Sequence, residues 1–285
     1  MLNTNRVKIF FSKMHGLGND FVIINKINQN FYLSSHIITK LSNRYTGIGF
    51  DQLLIIEKSK HPKYDFYYRI FNANGSEVTQ CGNGARCFAY FVYLKKITNK
   101  KIIILQTKTN NIHIKICNKN NIEVNIGKPI FNPTKIPMLF PNMFKKYHIK
   151  INNKKIEFGA VFIGNPHCII IVDNIKTYPV HTIGNLLSKH YLFPNHMNIN
   201  FMQIINTNHI LLRVYERGVG ETQACGSGAC ASVVIGIMWN LLKSVVTVTL
   251  PGGNLKIYWK GLNHSIYMIG PAEHVYDGQI YINTK

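Results

Sequence analysis

Apolar residues in the first third of the chain fall in short unbroken runs rather than at helical spacing. Residues 21–24, 53–56, 66–71 and 102–105 are rich in β-branched or aromatic side chains and bounded by Gly, Asn or Lys, a pattern that predicts strands. Two longer runs, 85 to about 94 and 229 to about 242, are apolar almost all round, as helices enclosed by sheet are. Each follows a Gly-x-Gly turn whose middle residue, Asn83 or Ser227, is a favoured N-cap, so the helices are expected to start there. Between them Pro129, Pro133, Pro137 and Pro141 interrupt residues 127–141. That segment can continue neither a helix nor a central strand and reads as the connection between two halves.

The halves match each other. Arg69-Ile70-Phe71-Asn72 aligns with Arg213-Val214-Tyr215-Glu216 at a separation of 144 residues. The same register carries Glu77 onto Glu221 and Cys81-Gly82-Asn83-Gly84-Ala85 onto Cys225-Gly226-Ser227-Gly228-Ala229. At a separation of 146, Gly18-Asn19 matches Gly164-Asn165 and Gln52 matches Asn198, so a duplication with a two-residue loop difference accounts for both registers. The expected fold is α+β: two pseudo-symmetric β-rich domains, each a mixed sheet or barrel wrapped around a central helix, with the active site in the cleft between them. The expected boundaries are 1–127, completed by 271–285, for the N-terminal half and 128–270 for the C-terminal half.

Composition adds one puzzle. The 285 residues are 46% hydrophobic and 16% charged, a globular balance with length for two domains. Yet 33 Lys and Arg against 12 Asp and Glu give +21, which raises nucleic acid or an anionic membrane as a partner. Of the basic residues 27 are Lys, and Asn numbers 33; both are favoured when codons drift toward A and T, so mutational bias is a second account. The lysine positions favour drift: residues 65–94 and 190–242 contain none, and these windows hold both Cys-Gly-x-Gly turns. No apolar run reaches the roughly 18 residues of a membrane span. The start, 1–11, lacks the apolar core of a secretory signal. A cytoplasmic protein with no membrane or nucleic-acid partner is expected. Strongly salt-dependent binding of DNA or RNA would mark the competing reading, a basic nucleic-acid-binding protein.

A reducing compartment would keep the six cysteines as thiols. Cys81 and Cys225 stand at glycine-rich helix starts, where free amide N–H groups suit a carboxylate and the helix field lowers the pKa of a thiol. Cys87, Cys117, Cys168 and Cys230 sit in helical or strand-like apolar settings and are expected in the core. The cysteine spacings do not match a tetrahedral zinc site. A redox dithiol stays open, although redox motifs usually place both sulfurs on one turn. Two thiols facing a carboxylate-bearing substrate from opposite sides suit inversion of a stereocentre: one thiolate removes the α-proton and the other thiol delivers a proton to the opposite face. Amides of Gly82-Asn83 and Gly226-Ser227 would stabilise the charge that develops on the carboxylate. No lysine lies in either motif, so no Schiff-base cofactor is suggested, and none of another kind is expected.

Met14-His15-Gly16-Leu17-Gly18-Asn19-Asp20-Phe21, Asn72-Ala73-Asn74-Gly75-Ser76-Glu77, Cys81-Gly82-Asn83-Gly84-Ala85-Arg86-Cys87, Gly164-Asn165-Pro166-His167, Tyr215-Glu216-Arg217-Gly218 and Gly220-Glu221-Thr222-Gln223-Ala224-Cys225-Gly226-Ser227-Gly228 together resemble the diaminopimelate epimerase family. The match runs in order from about Lys13 to Gly278. One departure is Asn74, where the family usually has Asp; either residue caps a turn. The resemblance implies a cofactor-independent epimerase that interconverts LL- and meso-2,6-diaminopimelate on the way to lysine and peptidoglycan, and that forms a homodimer. It implies catalytic thiols at Cys81 and Cys225, assisted by His167 and Glu216. It further implies substrate binding by Asn19, Gln52, Asn72, Asn165, Asn198 and Arg217, carboxylate-holding amides at Gly82, Asn83, Gly226 and Ser227, and a dimer contact at Tyr276. The residues themselves add that adjacent Glu216 and Arg217 suit the ammonium and carboxylate of a distal amino acid end. Another racemase of the same fold, also independent of pyridoxal phosphate, is the alternative enzyme.

Overall fold

The structure, a computed structural model, describes residues 6–78, 81–118, 121–151 and 154–283, so residues 1–5 of the start read above and residues 284–285 lie outside it. The chain divides into two compact units, Met1–Val124 with Gly270–Lys285, and Asn125–Ile269.

In the first unit β1 (Arg6–Gly16) and β2 (Asn19–Asn25) pair antiparallel. Helix α1 (Ser35–Ser42) carries the chain to β3 (Gln52–Lys58), which runs parallel to β2, and β4 (Phe66–Asn72) returns antiparallel. β5 (Glu77–Val78) pairs with one end of β4. Helix α2 (Gly82–Leu94) crosses to β6 (Ile102–Gln106), parallel to the other end of β4, and β7 (Asn111–Asn118) and β8 (Asn121–Gly127) follow as a meander. Parallel neighbours cannot be joined by a tight turn, and both parallel pairs here are joined through a helix.

The second unit repeats this order. β9 (Tyr147–Ile151) pairs with β10 (Lys154–Phe162), and β11 (Pro166–Ile171), α3 (Val180–Ser188), β12 (Asn198–Asn206), β13 (His209–Glu216), β14 (Gly220–Thr222), α4 (Gly226–Met238), β15 (Val245–Leu250), β16 (Gly253–Tyr258) and β17 (Ile266–Gly270) follow. β18 (Glu273–Asn283) belongs to the first unit, where it pairs antiparallel with β1. Registers repeat as well as elements: Phe21 faces Gln52 as His167 faces Asn198, and Leu53 faces Phe71 as Ile199 faces Tyr215. Even an ion pair recurs, Arg69 Nε to Glu77 Oε1 at 2.8 Å and Arg213 Nε to Glu221 Oε1 at 2.6 Å.

Unbroken apolar strands mean sheet covered on both faces. Val22 and Ile24 pack with Ile38 and Leu41 of α1, whereas Phe21 points the other way, toward the start of α2 at Gly84. In the second unit Cys168, Ile170, Ile199 and Phe201 pack with Val180 and Leu187 of α3, while Asn200 faces α4 at Gly228. Each unit is thus a mixed sheet with a short helix on one face and a buried apolar helix, α2 or α4, on the other. Among the described residues no helix is long and apolar enough to cross a membrane.

Four features differ from the sequence reading. The helices start at Gly82 and Gly226, with Cys81 and Cys225 as the extended cap residues, so Asn83 and Ser227 lie inside the first turn. Cys81 Sγ accepts the Gly84 N–H at 3.3 Å, a capping role that cysteine rarely signals in a sequence. Helix α4 stops at Met238, short of 242, because Asn240 adopts φ +61° and the Leu241 N–H returns to Gly236 O at 2.9 Å, a Schellman ending. Cys117 is exposed: on β7 Ile112, Ile114 and Ile116 take the inward phase and Cys117 the outward one. Helices α1 and α3 have no counterpart in the sequence pattern.

Candidate active site

In the first unit, strand ends bring the site residues to the start of α2. Asn19 opens β2, Gln52 opens β3, and Asn72 closes β4 opposite Gln52. Half-buried Cys81 caps α2, and Asn83 in its first turn donates Nδ2 to Asn19 Oδ1 at 3.2 Å. The Asn19 amide is held from behind, donating Nδ2 to Asp51 Oδ2 at 2.8 Å. Asp51 shares Arg44 with Asp20, and Lys13 completes the cluster by donating to Asp20 and to the Gly49 carbonyl. Burial pushes the Asp20 carboxyl up, but its bonds to Arg44 and Lys13 outweigh this and hold it well below the usual carboxylate range. Gln52 donates Nε2 to Asn72 Oδ1 at 2.9 Å, and its Oε1 is buried without a hydrogen-bond partner among the described residues. Tyr276 lies apart from this group on β18, 44% exposed, with its ring edge-on to Phe11.

In the second unit Cys225 lies buried between two side chains. Its Sγ donates to Glu216 Oε2 at 3.1 Å and lies 3.6 Å from Ser227 Oγ. Thr222 Oγ1 donates to the other Glu216 oxygen at 2.6 Å. Ser227 Oγ is in turn 3.0 Å from His167 Nε2, which is also 2.9 Å from Asn165 Oδ1. Where the first unit joins Asn83 directly to Asn19, the second joins the shorter Ser227 to Asn165 through an imidazole. Asn198 Oδ1 accepts the Arg217 backbone N–H at 2.9 Å, and its Nδ2 donates to Pro166 O at 3.1 Å. The exposed Arg217 guanidinium reaches the Asn195 carbonyl at 2.9 Å. Gly226 occupies the first position of α4 as Gly82 does in α2.

Charge is tightly managed here. Burial holds His167 neutral, with its pKa lowered to about 3; the Arg217 charge acts the same way, against the Asn200 hydrogen bond. Burial also pushes the Cys225 thiol well up, and the Glu216 carboxylate adds to this, while Ser227 and the Gly228 amide oppose it. The helix field expected to acidify this thiol is therefore outweighed, and Cys225 rests protonated. Among the described residues no three His, Cys, Asp or Glu side chains converge as a metal site.

A family model described as Diaminopimelate epimerase matches residues 11–132 and 159–275. The chain belongs to the diaminopimelate epimerase family. Among similar members, the diaminopimelate epimerase of Buchnera aphidicola subsp. Acyrthosiphon pisum (strain APS) is 55% identical over 278 residues, 98% of each chain. That of Buchnera aphidicola subsp. Baizongia pistaciae (strain Bp) is 56% identical over 280 residues, 97% of each chain. Solved structures share the architecture at low identity. A hydroxyproline epimerase from Agrobacterium vitis superimposes with TM-score 0.72 at 10% identity, covering 97% of this chain and 93% of its own. A PhzF-family phenazine biosynthesis protein from Bacillus anthracis gives 0.71 at 15%, covering 97% and 100%. In this family member the structure adds residues to the site that sequence reasoning missed: Asp51 behind Asn19, Thr222 on Glu216, and Asn200 on His167, where Nδ2 lies 3.1 Å from Nδ1. The available signal for Asn200 was a polar residue at the place where the first copy has Leu54.

Proposed function

We propose that the chain is a cofactor-independent isomerase that interconverts LL- and meso-2,6-diaminopimelate with Cys81 and Cys225 as an acid–base pair. One thiolate takes the α-proton and becomes a thiol, and the other thiol gives a proton to the opposite face of the α-carbon and becomes a thiolate, so the roles exchange with direction. The observation that carries this reading is the setting of Cys225, which has neighbours for both of its charge states. Glu216 Oε2 accepts from the thiol at 3.1 Å, while Ser227 and the Gly228 amide favour the thiolate. Burial disfavours the imidazolium form of His167 and makes it a poor proton acceptor, so in this reading it acts as an N–H donor toward Ser227. The amides at Gly82-Asn83 and Gly226-Ser227 are the proposed seats of the reacting carboxylate. Asn19, Asn72, Asn165 and Asn198 hold the substrate in this reading, with Gln52 Oε1 a buried acceptor for an ammonium. Glu216 spends both oxygens on Thr222 and Cys225, which supports a role at the thiol, and Arg217 is the proposed fork for the distal carboxylate.

The same reading makes the protein a cytoplasmic homodimer with Tyr276 at the contact, contributing to lysine and peptidoglycan precursors, and its lysine coat a product of drift with no nucleic-acid partner. The test is α-proton exchange of diaminopimelate in deuterated water, followed with stereochemical analysis. The wild type should incorporate deuterium as it epimerises, and Cys81→Ala and Cys225→Ala should each lose epimerisation while keeping the wild-type circular dichroism. Turnover by a folded variant at the wild-type rate would refute the acid–base assignment.

A further inference from the structure

The duplicated frame shows where the second unit departs from the first, and one buried departure lies under α4. Phe21 and Leu54 line the face beneath Gly84 in the first unit. At the matching positions the second unit carries His167 and Asn200, both fully buried. A buried amide in place of leucine costs stability unless each polar atom is bonded, and Asn200 Oδ1 has no hydrogen-bond partner among the described residues. The other end of the amide is strongly committed. Nδ2 donates to Cys168 O at 2.9 Å and lies 3.1 Å from His167 Nδ1 and 3.4 Å from Asn198 O. Turning the amide over would set Oδ1 against the Cys168 carbonyl, acceptor against acceptor, so the strand backbone fixes which end faces the imidazole.

An NH₂ group facing Nδ1 can only donate, so Nδ1 must be the bare nitrogen and Nε2 must carry the proton. Nε2 is the atom between Asn165 Oδ1 and Ser227 Oγ. We infer that Asn200 is a positioning residue that locks His167 in the Nε2–H tautomer, so that Ser227 is supplied with a donor and turns its own O–H toward Cys225. The inference rests on the epimerase reading of Cys225, and it explains why the second unit retains a buried amide that leucine, as at 54, would replace without an orphaned oxygen. A residue that only filled space here would leave the tautomer to Asn165, whose Oδ1 faces Nε2 but whose amide can turn over to present its NH₂ instead.

Nitrogen-15 NMR of histidine-labelled enzyme tests this without activity, with His167→Gln identifying the His167 signals. In the wild type at pH 7, His167 should show a protonated Nε2 and a bare Nδ1; a protonated Nδ1 or an imidazolium overturns the inference, whether or not any variant folds. In Asn200→Leu the His167 signals should move toward the Nδ1–H or averaged pattern, and kcat for diaminopimelate should fall at least tenfold with KM changed less than threefold. A folded Asn200→Leu that keeps the Nε2–H pattern and a kcat within twofold of wild type also overturns it. Absence of diaminopimelate epimerisation in the wild type would instead refute the proposed function and leave the tautomer result to be judged by itself.

Discussion

Gly228→Ala should damage the second unit through one identifiable contact. A Cβ at 228 would lie 2.4 Å from Asn200 Oδ1, with Val214 Cγ2 at 3.2 Å and Cys225 Cβ at 3.3 Å. Carbon and oxygen settle no closer than about 3.3 Å, so Asn200 would have to retreat by roughly 0.9 Å. It cannot do so cheaply, because Nδ2 is pinned at 2.9 Å to Cys168 O and 3.1 Å to His167 Nδ1, and a shift of that size stretches both beyond bonding distance. Two lost bonds at about 1 kcal/mol each, or the roughly 1–3 kcal/mol of an overpacked core if the bonds hold and the helix moves instead, agree on about 2 kcal/mol. For domains of this size that corresponds to a melting temperature lowered by roughly 4–8 °C. Urea unfolding and calorimetry measure the cost, and the epimerisation rate should fall with it.

The cause is separable from a general intolerance of alanine in the helix by a double-mutant cycle. If the clash is with the Asn200 side chain, Gly228→Ala placed in an Asn200→Ala background should cost far less than in the wild type, a coupling of at least about 1 kcal/mol. Strict additivity of the two substitutions, or a Gly228→Ala protein as stable as the wild type, would refute the reasoning.

Two further outcomes follow from the electrostatics. Glu216→Gln removes the charge that disfavours the Cys225 thiolate, so in a Cys81→Ser background alkylation of Cys225 by iodoacetamide near neutral pH should accelerate at least several-fold; an unchanged or slower rate would show that Glu216 does not act on the sulfur. His167 is neutral in the fold down to about 3 against an ordinary value of 6.5, so between these limits unfolding takes up a proton. Its contribution to stability is present above 6.5 and is lost as pH falls toward 3, at about 1.4 kcal/mol per pH unit. His167→Gln should therefore show a shallower loss of unfolding free energy between pH 6.5 and 5 than the wild type, and equal slopes would contradict burial as the cause.

Much of the fold is legible in the sequence for a physical reason. Strands covered on both faces need consecutive apolar residues, and 21–24 and 53–56 have them. Helix α1 is not legible because its eight residues bury only Ile38 and Leu41, too few to display a helical period. The exact helix starts are not legible because Asn83 and Ser227 have the composition of caps while the cap position belongs to a cysteine. The candidate site residues Asn19, Asn165, Gln52 and Asn198 are legible because they are matched between the copies. Asn200 is illegible to the same comparison for the opposite reason: a search for matched polar residues passes over the place where one copy has leucine.

In the proposed acid–base reading that asymmetry bears on the chemistry. A proton-transferring thiol must be tolerable both as S–H and as S⁻, and a buried site tolerates the second only if donors stand ready before the proton leaves. Duplication alone supplies each cysteine with the start of a helix. The polar substitutions of the second unit, His167 for Phe21, Asn200 for Leu54, Ser227 for Asn83 and Glu216 for Asn72, converge on Cys225 by a continuous set of bonds: Asn200 to His167, His167 to Ser227, Ser227 toward the sulfur, and the sulfur to Glu216. The duplicated frame already makes these positions neighbours, as Phe21 and Leu54 are beneath Gly84, and what the second copy adds is polarity that runs on to the sulfur. That polarity gathers at a single atom, Cys225 Sγ, so that in the proposed acid–base reading a thiol held protonated by burial and by Glu216 has its thiolate partners already in place.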